Sequence, residues 1–201
     1  MTRWLVVRLV LATGVATAAP VPKALKRVRP LRATIEPLPG EKLHSVDWDD
    51  VPLSKVLEDV ENQTGLFYRT RDVPKVKIRL KADKVCMPEL FARLDEELYP
   101  QGWVLIRKTQ SFSIVSVEAK IERVTIPTVT VEELRRRSRF EPVQVLVPVG
   151  EQNAEAGKQV AAGIDGPWFE ACEFGSDKFL LCGRVMDLQK FVDELGDHIK
   201  K

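Results

Sequence analysis

The spacing of apolar residues between residues 44 and 118 alternates between helical and strand-like, and this order limits the folds available to the segment. Two sets of apolar residues recur at helical spacing: Leu53, Val56, Leu57 and Val60, then Leu90, Phe91, Leu94 and Leu98. Gly65 follows the first set, as a helix-ending glycine does. From Val76 to Leu80, apolar and basic residues alternate with the period of a half-buried strand. With further short strands, the segment predicts a small α+β domain of order β-α-β-β-α-β-β.

The rest of the chain, residues 119–201, mixes the same two spacings less regularly. We expect strands at 122–126 and 144–149, a helix at 130–139, a hairpin at 168–174 and 178–182, and a closing helix at 188–199. Thr130 and Glu133 form a capping-box pattern at the first helix. Residues 151–163 fit either a short helix or a loop. The order is roughly β-α-β-(α)-β-β-α, so we expect an α+β chain of two small α/β-sandwich-like domains.

The first 18 residues have the parts of a secretory signal. Arg3 gives a positive start, Leu5–Val15 is apolar, and Ala16-Thr17-Ala18 supplies a small-x-small cleavage pattern. We expect cleavage after Ala18 and export, with no transmembrane segment left, because the apolar run is shorter than the roughly 20 residues of a spanning helix. An uncleaved anchor is the alternative, since Arg8 interrupts the run.

Residues 19–43 form a basic stretch rich in proline. Its prolines and basic residues are Pro20, Pro22, Pro30, Pro37 and Pro39, and Lys23, Lys26, Arg27, Arg29 and Arg32. Because proline lacks a backbone donor and resists helix and sheet, we expect an extended linker. The alternative is that its positive charge binds an acidic lipid surface or an acidic partner.

The polar residues exclude several functions. The formal net charge of +2 provides no dense positive field, so we expect no nucleic-acid partner. The two histidines, His44 and His198, stand far apart, and no zinc spacing occurs. Asp47, Asp49 and Asp50 cluster without the glycine turn of a calcium loop. No nucleophile–base set is recognisable, so we predict a protein that is not an enzyme and has no catalytic, cofactor-binding or metal-binding residues.

The three cysteines leave two possibilities open. A hairpin with Ser176-Asp177-Lys178 as its loop places Cys172 directly opposite Cys182, where a cross-strand disulfide is geometrically possible. The alternative is two buried thiols that act as small apolar side chains. Cys86 is left without a partner.

The segment at residues 44–118 resembles the short N-terminal domain of secretins and TonB-dependent transducers. The resemblance rests on helix ends and apolar spacing. The matching stretches are Trp48-Asp49-Asp50-Val51-Pro52-Leu53, Gln63-Thr64-Gly65-Leu66, Val76–Leu80, Gly102-Trp103 and Phe112-Ser113-Ile114-Val115. Residues 119–201 resemble the following secretin N-terminal domain, a KH-like (NolW-like) module. That match is carried by Phe174–Gly183 and the closing helix.

The resemblance implies an exported periplasmic protein-interaction module. Its partner would be a cell-envelope protein, either a secretin or a TonB-system component, or a second copy of the chain. Because the sequence ends at Lys201, just past the closing helix, we expect no pore of its own.

A periplasmic small-ligand-binding protein is the alternative function. Its ligand would bind in the cleft between the two domains. Under either hypothesis, the residues that we expect at the contact surface are Arg135, Arg136, Arg137 and Trp168.

Overall fold

The computed structural model of the protein describes residues 34–69 and 72–199. The predicted signal peptide and residues 19–33 of the predicted linker lie outside the described residues. Within the two described ranges, no helix is both long enough and apolar enough to span a membrane. The chain combines helices with several small sheets, which confirms the predicted α+β class.

The first unit has the predicted order of helices and strands. Its elements are β1 (Leu43–Pro52), α1 (Leu53–Thr64), β2 (Phe67–Tyr68), β3 (Lys77–Cys86), α2 (Met87–Leu98), β4 (Trp103–Arg107) and β5 (Ser111–Ser116). Strands β1 and β3 pair antiparallel as a two-stranded ribbon, and a three-stranded sheet has the order β2-β5-β4. Gly65 ends α1 with a backbone φ of 73°, a left-handed conformation that glycine adopts without strain.

Both helices of the first unit bury the faces that their apolar spacing predicts. The eight residues that carried the prediction, four on α1 and four on α2, are each at most 4% exposed. They pack with Ile78, Phe112 and Ile114 in one apolar cluster. Burial of apolar area, at roughly 25 cal/mol per Å², is the main force that holds this layer of helices on the strands.

The second unit is a single sheet with helices on one face. Its elements are β6 (Thr128–Val129), α3 (Val131–Leu134), β7 (Pro142–Pro148), α4 (Ala154–Ala162), β8 (Glu170–Glu173), β9 (Lys178–Arg184) and α5 (Val185–Ile199). The strand order is β6-β7-β9-β8. Val145 and Leu181, which are paired across β7 and β9, pack against Leu188 and Phe191 of α5. Residues 151–163, which fitted a helix or a loop, contain the helix α4.

The predicted strand at residues 122–126 is wrong. Residues Arg123–Thr125 form a 3-10 turn, and the strand that follows, β6, is only two residues long. The side chain of Val124 is 85% exposed, whereas Ile126 is buried, so the two apolar residues of this alternation do not share one buried face.

The predicted helix at 130–139 is shorter than expected. Its capping box is present, since Thr130 and Glu133 each bond the other's backbone N–H, but the helix ends at Leu134. The chain beyond it turns so that Ser138 and Phe140 become buried. The helix therefore stops early because the residues after it are buried against the first unit.

The predicted register of the hairpin that holds two cysteines is also wrong. Cys172 lies opposite Leu180, and Cys182 lies opposite Glu170, a shift of two residues from the arrangement that joins the cysteines. Both are free thiols in the structure. Diagonal neighbours across two strands lie about 7–8 Å apart, so a disulfide would require movement of β8 against β9.

The segment before β1, residues 34–41, packs on both units, and we call it the strap. Ile35 is buried, and its backbone N–H donates to Glu89 of α2 at 3.0 Å. Arg136 of the second unit donates to the Glu36 carbonyl at 2.9 Å and to the Glu41 carboxylate at 2.6 Å. This part of the expected linker is therefore anchored.

Candidate protein-interaction surface

Aromatic stacking and a guanidinium join the two units. Tyr99, just after α2, stacks on Phe140 of the second unit, with ring centroids 3.9 Å apart. Arg184, at the end of β9, donates to the Tyr99 hydroxyl at 2.9 Å. Asp187 orients Arg184 through two bonds of 2.7 and 3.0 Å. A bidentate pair of this kind fixes the direction of the guanidinium, so the contact with Tyr99 is positioned by the second unit itself.

We call the contact between the two units the joint. A fully buried carboxyl lies at its centre. Asp95 of α2 accepts from the Leu105 backbone N–H at 2.8 Å and from the Ser138 hydroxyl. Burial raises the pKa of Asp95 to about 8, although both hydrogen bonds favour the charged form. The nearby Glu141 and Glu96 carboxylates add to the rise. Asp95 is therefore mainly protonated at neutral pH.

A second buried carboxylate, Glu141, lies beside it. It accepts from the Arg107 backbone N–H at 2.8 Å and from the Arg137 guanidinium at 2.6 Å. The Arg107 side chain packs over the Phe91 ring at 5.7 Å and donates to the Arg136 carbonyl at 3.1 Å. Burial lowers the pKa of Arg107, and Glu141 opposes that effect. Each unit thus both donates hydrogen bonds to the other unit and accepts hydrogen bonds from it.

Both edges of the three-stranded sheet in the first unit are capped by carboxyl groups. On β4, the outward N–H groups of Leu105 and Arg107 donate to Asp95 and Glu141. On β2, the outward N–H of Tyr68 donates to Glu61 of α1. An incoming strand needs free backbone donors, so this sheet does not offer its edges to a partner.

The four predicted contact residues do not all face solvent. Arg137 bonds Glu141 and the Arg107 carbonyl, and Arg136 holds the strap. The half-buried Trp168 donates from its indole nitrogen to the Ala119 carbonyl at 3.0 Å. Arg135 is exposed. Three of the four residues thus bond within the chain, and the prediction that this cluster contacts a partner now depends mainly on Arg135.

The face of the four-stranded sheet that lies opposite the helices has an apolar row. Leu146 of β7, Leu180 of β9 and Cys172 of β8 are paired in sequence across three strands. Leu146 is 38% exposed, and Phe174, just after β8, is 58% exposed. We call this the open face. Leu180 and Cys172 are half-buried. Exposed apolar side chains grouped on one face of a sheet are typical of contact surfaces for other proteins.

An ion pair borders the open face at its edge strand, β8. Arg123 pairs with Glu170 and donates to the Cys172 sulfur at 3.4 Å. Glu173 follows Cys172 and therefore points to the opposite, helix-covered face, where it pairs with Lys158 of α4 at 2.9 Å. The Arg123–Glu170 pair thus gives the apolar row a polar border at one end, as at the rim of a protein-interaction surface.

The ribbon of the first unit presents a different, charged surface. Asp47 pairs with Lys81 at 2.6 Å, Asp49 pairs with Arg79 at 2.9 Å, and a further pair joins Asp50 to Lys77. All are well exposed, so solvent screens these pairs and they add little to the stability of the fold. Within residues 34–69 and 72–199, no group of three or more His, Cys, Asp or Glu side chains could hold a metal ion.

No family model matches the sequence, and no curated protein matches it. Several solved structures are similar to the chain, and three of them come from type II secretion systems. The outer-membrane complex of the Klebsiella pneumoniae type II secretion system, with PulD, PulS and the PulC HR domain, matches 76% of this chain at 13% identity and a TM-score of 0.47. This chain spans 26% of that structure's chain.

Two further similar structures of these systems contain the secretin's N-terminal part or its complex. The GspC–GspD complex of enterotoxigenic Escherichia coli matches over 78% of this chain and 98% of its own, with 16% identity and a TM-score of 0.27. The N-terminal domain of the secretin XcpQ from Pseudomonas aeruginosa matches over 78% and 99%, with 10% identity and a TM-score of 0.30. Since every TM-score is below 0.5, we base no conclusion about this chain on these likenesses.

Proposed function

We propose that this chain is an exported module that binds another protein of the cell envelope and catalyses no reaction. The observation that carries the proposal is the order of the first unit. Residues 43–116 follow β-α-β-β-α-β-β, with the Thr64-Gly65-Leu66 turn at the end of α1. The sequence resemblance to the short N-terminal domain of secretins and TonB-dependent transducers implies this order.

The open face supports a role in binding proteins. It combines the apolar row of Leu146, Leu180 and Cys172 with the bordering ion pair of Arg123 and Glu170. The joint supports the same role, because the polar and aromatic side chains that meet there hold the two units in a fixed orientation. A rigid support lowers the entropy that is lost when a partner binds.

The joint does not favour the small-ligand alternative. The cleft that such a ligand would occupy holds the Tyr99–Phe140 stack and the hydrogen bonds of Asp95 and Glu141. We therefore place the binding surface on the open face. The partner would be a secretin or a TonB-system component in the periplasm, or a second copy of the chain.

An affinity pull-down from envelope extract tests this function. The bait is residues 19–201, compared with a double variant, Leu146→Ser with Phe174→Ser, that makes the open face polar. Phe67→Ser is the matched control, because Phe67 is 65% exposed on the first unit, away from that face.

We expect one or more envelope proteins to be retained by the original chain and by Phe67→Ser, and to be lost with the double variant. A bait that stays monomeric and retains no envelope protein contradicts the proposed function. Equal retention by all three baits contradicts the placement on the open face.

A further inference from the structure

The strand β8 exposes backbone groups at one edge of the four-stranded sheet, where it pairs with β9 alone. The Phe174 N–H donates to the Lys178 carbonyl at 2.9 Å, so the backbone of Phe174 faces β9. Because inward and outward backbone groups alternate along an antiparallel strand, those of Ala171 and Glu173 point away from the sheet. In the part of the chain that the structure describes, no hydrogen bond reaches these outward donors and acceptors.

This edge differs from those of the three-stranded sheet, where Glu61, Asp95 and Glu141 accept the outward N–H groups. The start of β8 is closed, since the Phe169 N–H donates to the Gly166 carbonyl at 3.1 Å. The open part of the edge is therefore short and is centred on the residue between its two outward ones. An extended strand that pairs here gains backbone hydrogen bonds.

Charge does not protect this edge from a second copy of itself. Natural edge strands are often kept apart by charged side chains. Here Glu170 pairs with Arg123, and Glu173 pairs with Lys158 at 2.9 Å. Because each carboxylate has a cation of its own chain beside it, two β8 strands bring no excess charge of one sign together.

One two-fold antiparallel register pairs all of the outward groups of both copies. It places Ala171 of each copy opposite Glu173 of the other, so that every outward N–H meets a carbonyl. Cys172 then lies opposite Cys172 as a pair without backbone hydrogen bonds. In such a pair the Cα atoms lie about 4.5 Å apart, which is within the range of about 4.4–6.8 Å that a disulfide spans.

We propose that β8 pairs antiparallel with β8 of a second copy of the chain, about a two-fold axis at Cys172. The apolar row of Leu146, Leu180 and Cys172 then continues into the same row of the second copy, so the two open faces form one surface. A contact of this symmetry uses the same patch on both copies and therefore closes at two.

The side chains beside the axis fit this register. On the helix-covered face, the small Ala171 leaves room for Glu173 of the second copy. On the open face, the exposed ring of Phe174 comes opposite Glu170 of the second copy, whose paired Arg123 offers a cation to the ring. The inference rests on the proposed protein-binding function, of which it specifies one partner, a second copy.

Sedimentation equilibrium of the chain that begins at residue 19 tests the pairing. Ala171→Pro removes one outward N–H from each copy, and an edge strand tolerates a proline that faces solvent. Ala171→Ser is the matched control, because it keeps that N–H. We expect the original chain and Ala171→Ser to form dimers as the concentration rises, and Ala171→Pro to associate on the order of tenfold or more weakly.

Unfolding midpoints in urea identify a variant that has lost its fold. An original chain that is monomeric at every concentration overturns the proposal, as does a folded Ala171→Pro that dimerises as tightly as Ala171→Ser. Both variants keep Leu146 and Phe174, so the pull-down from envelope extract can succeed where self-association fails. A failure of this inference is therefore distinguishable from a failure of the proposed function.

Disulfide formation at Cys172 provides a second measurement, which does not depend on the proline variant. Oxidised glutathione is the oxidant. The two Cys172 thiols of a dimer lose two protons and two electrons to form one disulfide, and oxidised glutathione takes them up to become two thiols. We expect a covalent dimer whose tryptic peptides join Cys172 to Cys172. Cys172→Ser should form no such product and should still dimerise in sedimentation.

The control for the position of the thiol is Leu146→Cys combined with Cys172→Ser. It moves the thiol to β7, on the same open face but two strands from the edge. We expect its covalent dimers to form on the order of tenfold more slowly, because the pairing holds only position 172 at the axis. Equal or faster linkage through position 146 shows contact between faces, and a Cys172–Cys182 disulfide within one chain shows an unpaired edge. Either result overturns the proposal.

Discussion

The Ser138 hydroxyl of the second unit donates to the Asp95 carboxyl of the first, in the fully buried centre of the joint. Asp95 also accepts the outward backbone N–H of Leu105. One side chain therefore closes a sheet edge in its own unit and contacts the neighbouring unit. The protonation state of this carboxyl links both contacts to pH.

Replacing Asp95 with Asn is expected to remove a pH dependence of stability. The pKa of Asp95 is raised from 3.8 to about 8, so the folded chain holds a proton that the unfolded chain releases between these values. The stabilising contribution is complete below pH 4 and is lost as the pH rises towards 8. An Asn amide keeps one acceptor for Leu105 and one donor for Ser138.

Urea unfolding of both proteins from pH 4 to 9 checks this prediction. The original chain should lose stability relative to Asp95→Asn as the pH rises, and the difference should level off above pH 8. Parallel stability curves for the two proteins would contradict the prediction.

Glu141→Ala is expected to destabilise the chain by about 3–5 kcal/mol, because it leaves the Arg107 N–H and the mostly buried Arg137 guanidinium without their carboxylate. Glu170→Ala is the control, since it breaks an exposed, solvent-screened pair with Arg123 and should change the free energy of unfolding little. The free energy of unfolding in urea measures both. Similar losses from the two variants would show that Glu141 is not a buried partner.

Two glycine-to-alanine changes in helices are expected to have opposite signs. A Cβ on Gly157 of α4 would lie 2.8 Å from a ring carbon of Phe179, so overpacking should cost about 1–3 kcal/mol. A Cβ on Gly196 of α5 would meet no atom within 4 Å, and Ala should stabilise that helix by about 0.5–1 kcal/mol. Thermal unfolding of the two variants decides the signs, and a stabilised Gly157→Ala would contradict the packing of α4 on β9.

Ile35→Ala is expected to release the strap. The Ile35 side chain is buried and should cost about 2 kcal/mol or more on truncation, whereas Leu38→Ala, at a side chain that is 57% exposed, should cost little. Hydrogen exchange at the Ile35 and Leu38 amides, which bond Glu89 and Glu41, reports the release directly. Unchanged protection in Ile35→Ala would mean that the side chain does not anchor the strap.

The helices of the first unit could be predicted from sequence because their information is local. Leu53 and Leu90 belong to repeats that place all apolar side chains on one face, and Gly65 marks the end of α1. In the second unit a local pattern of the same kind predicts a helix up to Arg139, but α3 ends at Leu134 because the following residues contact a distant part of the chain. Phe140 stacks on Tyr99, which is 41 residues earlier in the sequence.

The joint could not be predicted in the same way. Asp95 resembles the many acids on a solvated helix face, and no local pattern shows that Leu105 and Ser138 surround it. Strand register is also hard to predict from local sequence. A small difference in the turn after β8 decides whether Cys172 lies opposite Cys182, as predicted, or opposite Leu180, as in the structure. Arg136 and Arg137 stand out in the sequence by their charge, but the Glu41 carboxylate and the Arg107 carbonyl that they bond lie 95 and 30 residues away.

The capped edges of the three-stranded sheet also bear on the solubility of the chain. Fibrillar aggregates grow when each new molecule pairs its backbone with an unprotected edge of the last. Glu61, Asp95 and Glu141 occupy outward donors on β2 and β4, and a buried carboxyl is costly for an incoming strand to displace. The first unit can therefore be present at high local density, as in an assembly of many copies, without this sheet becoming a seed for polymerisation.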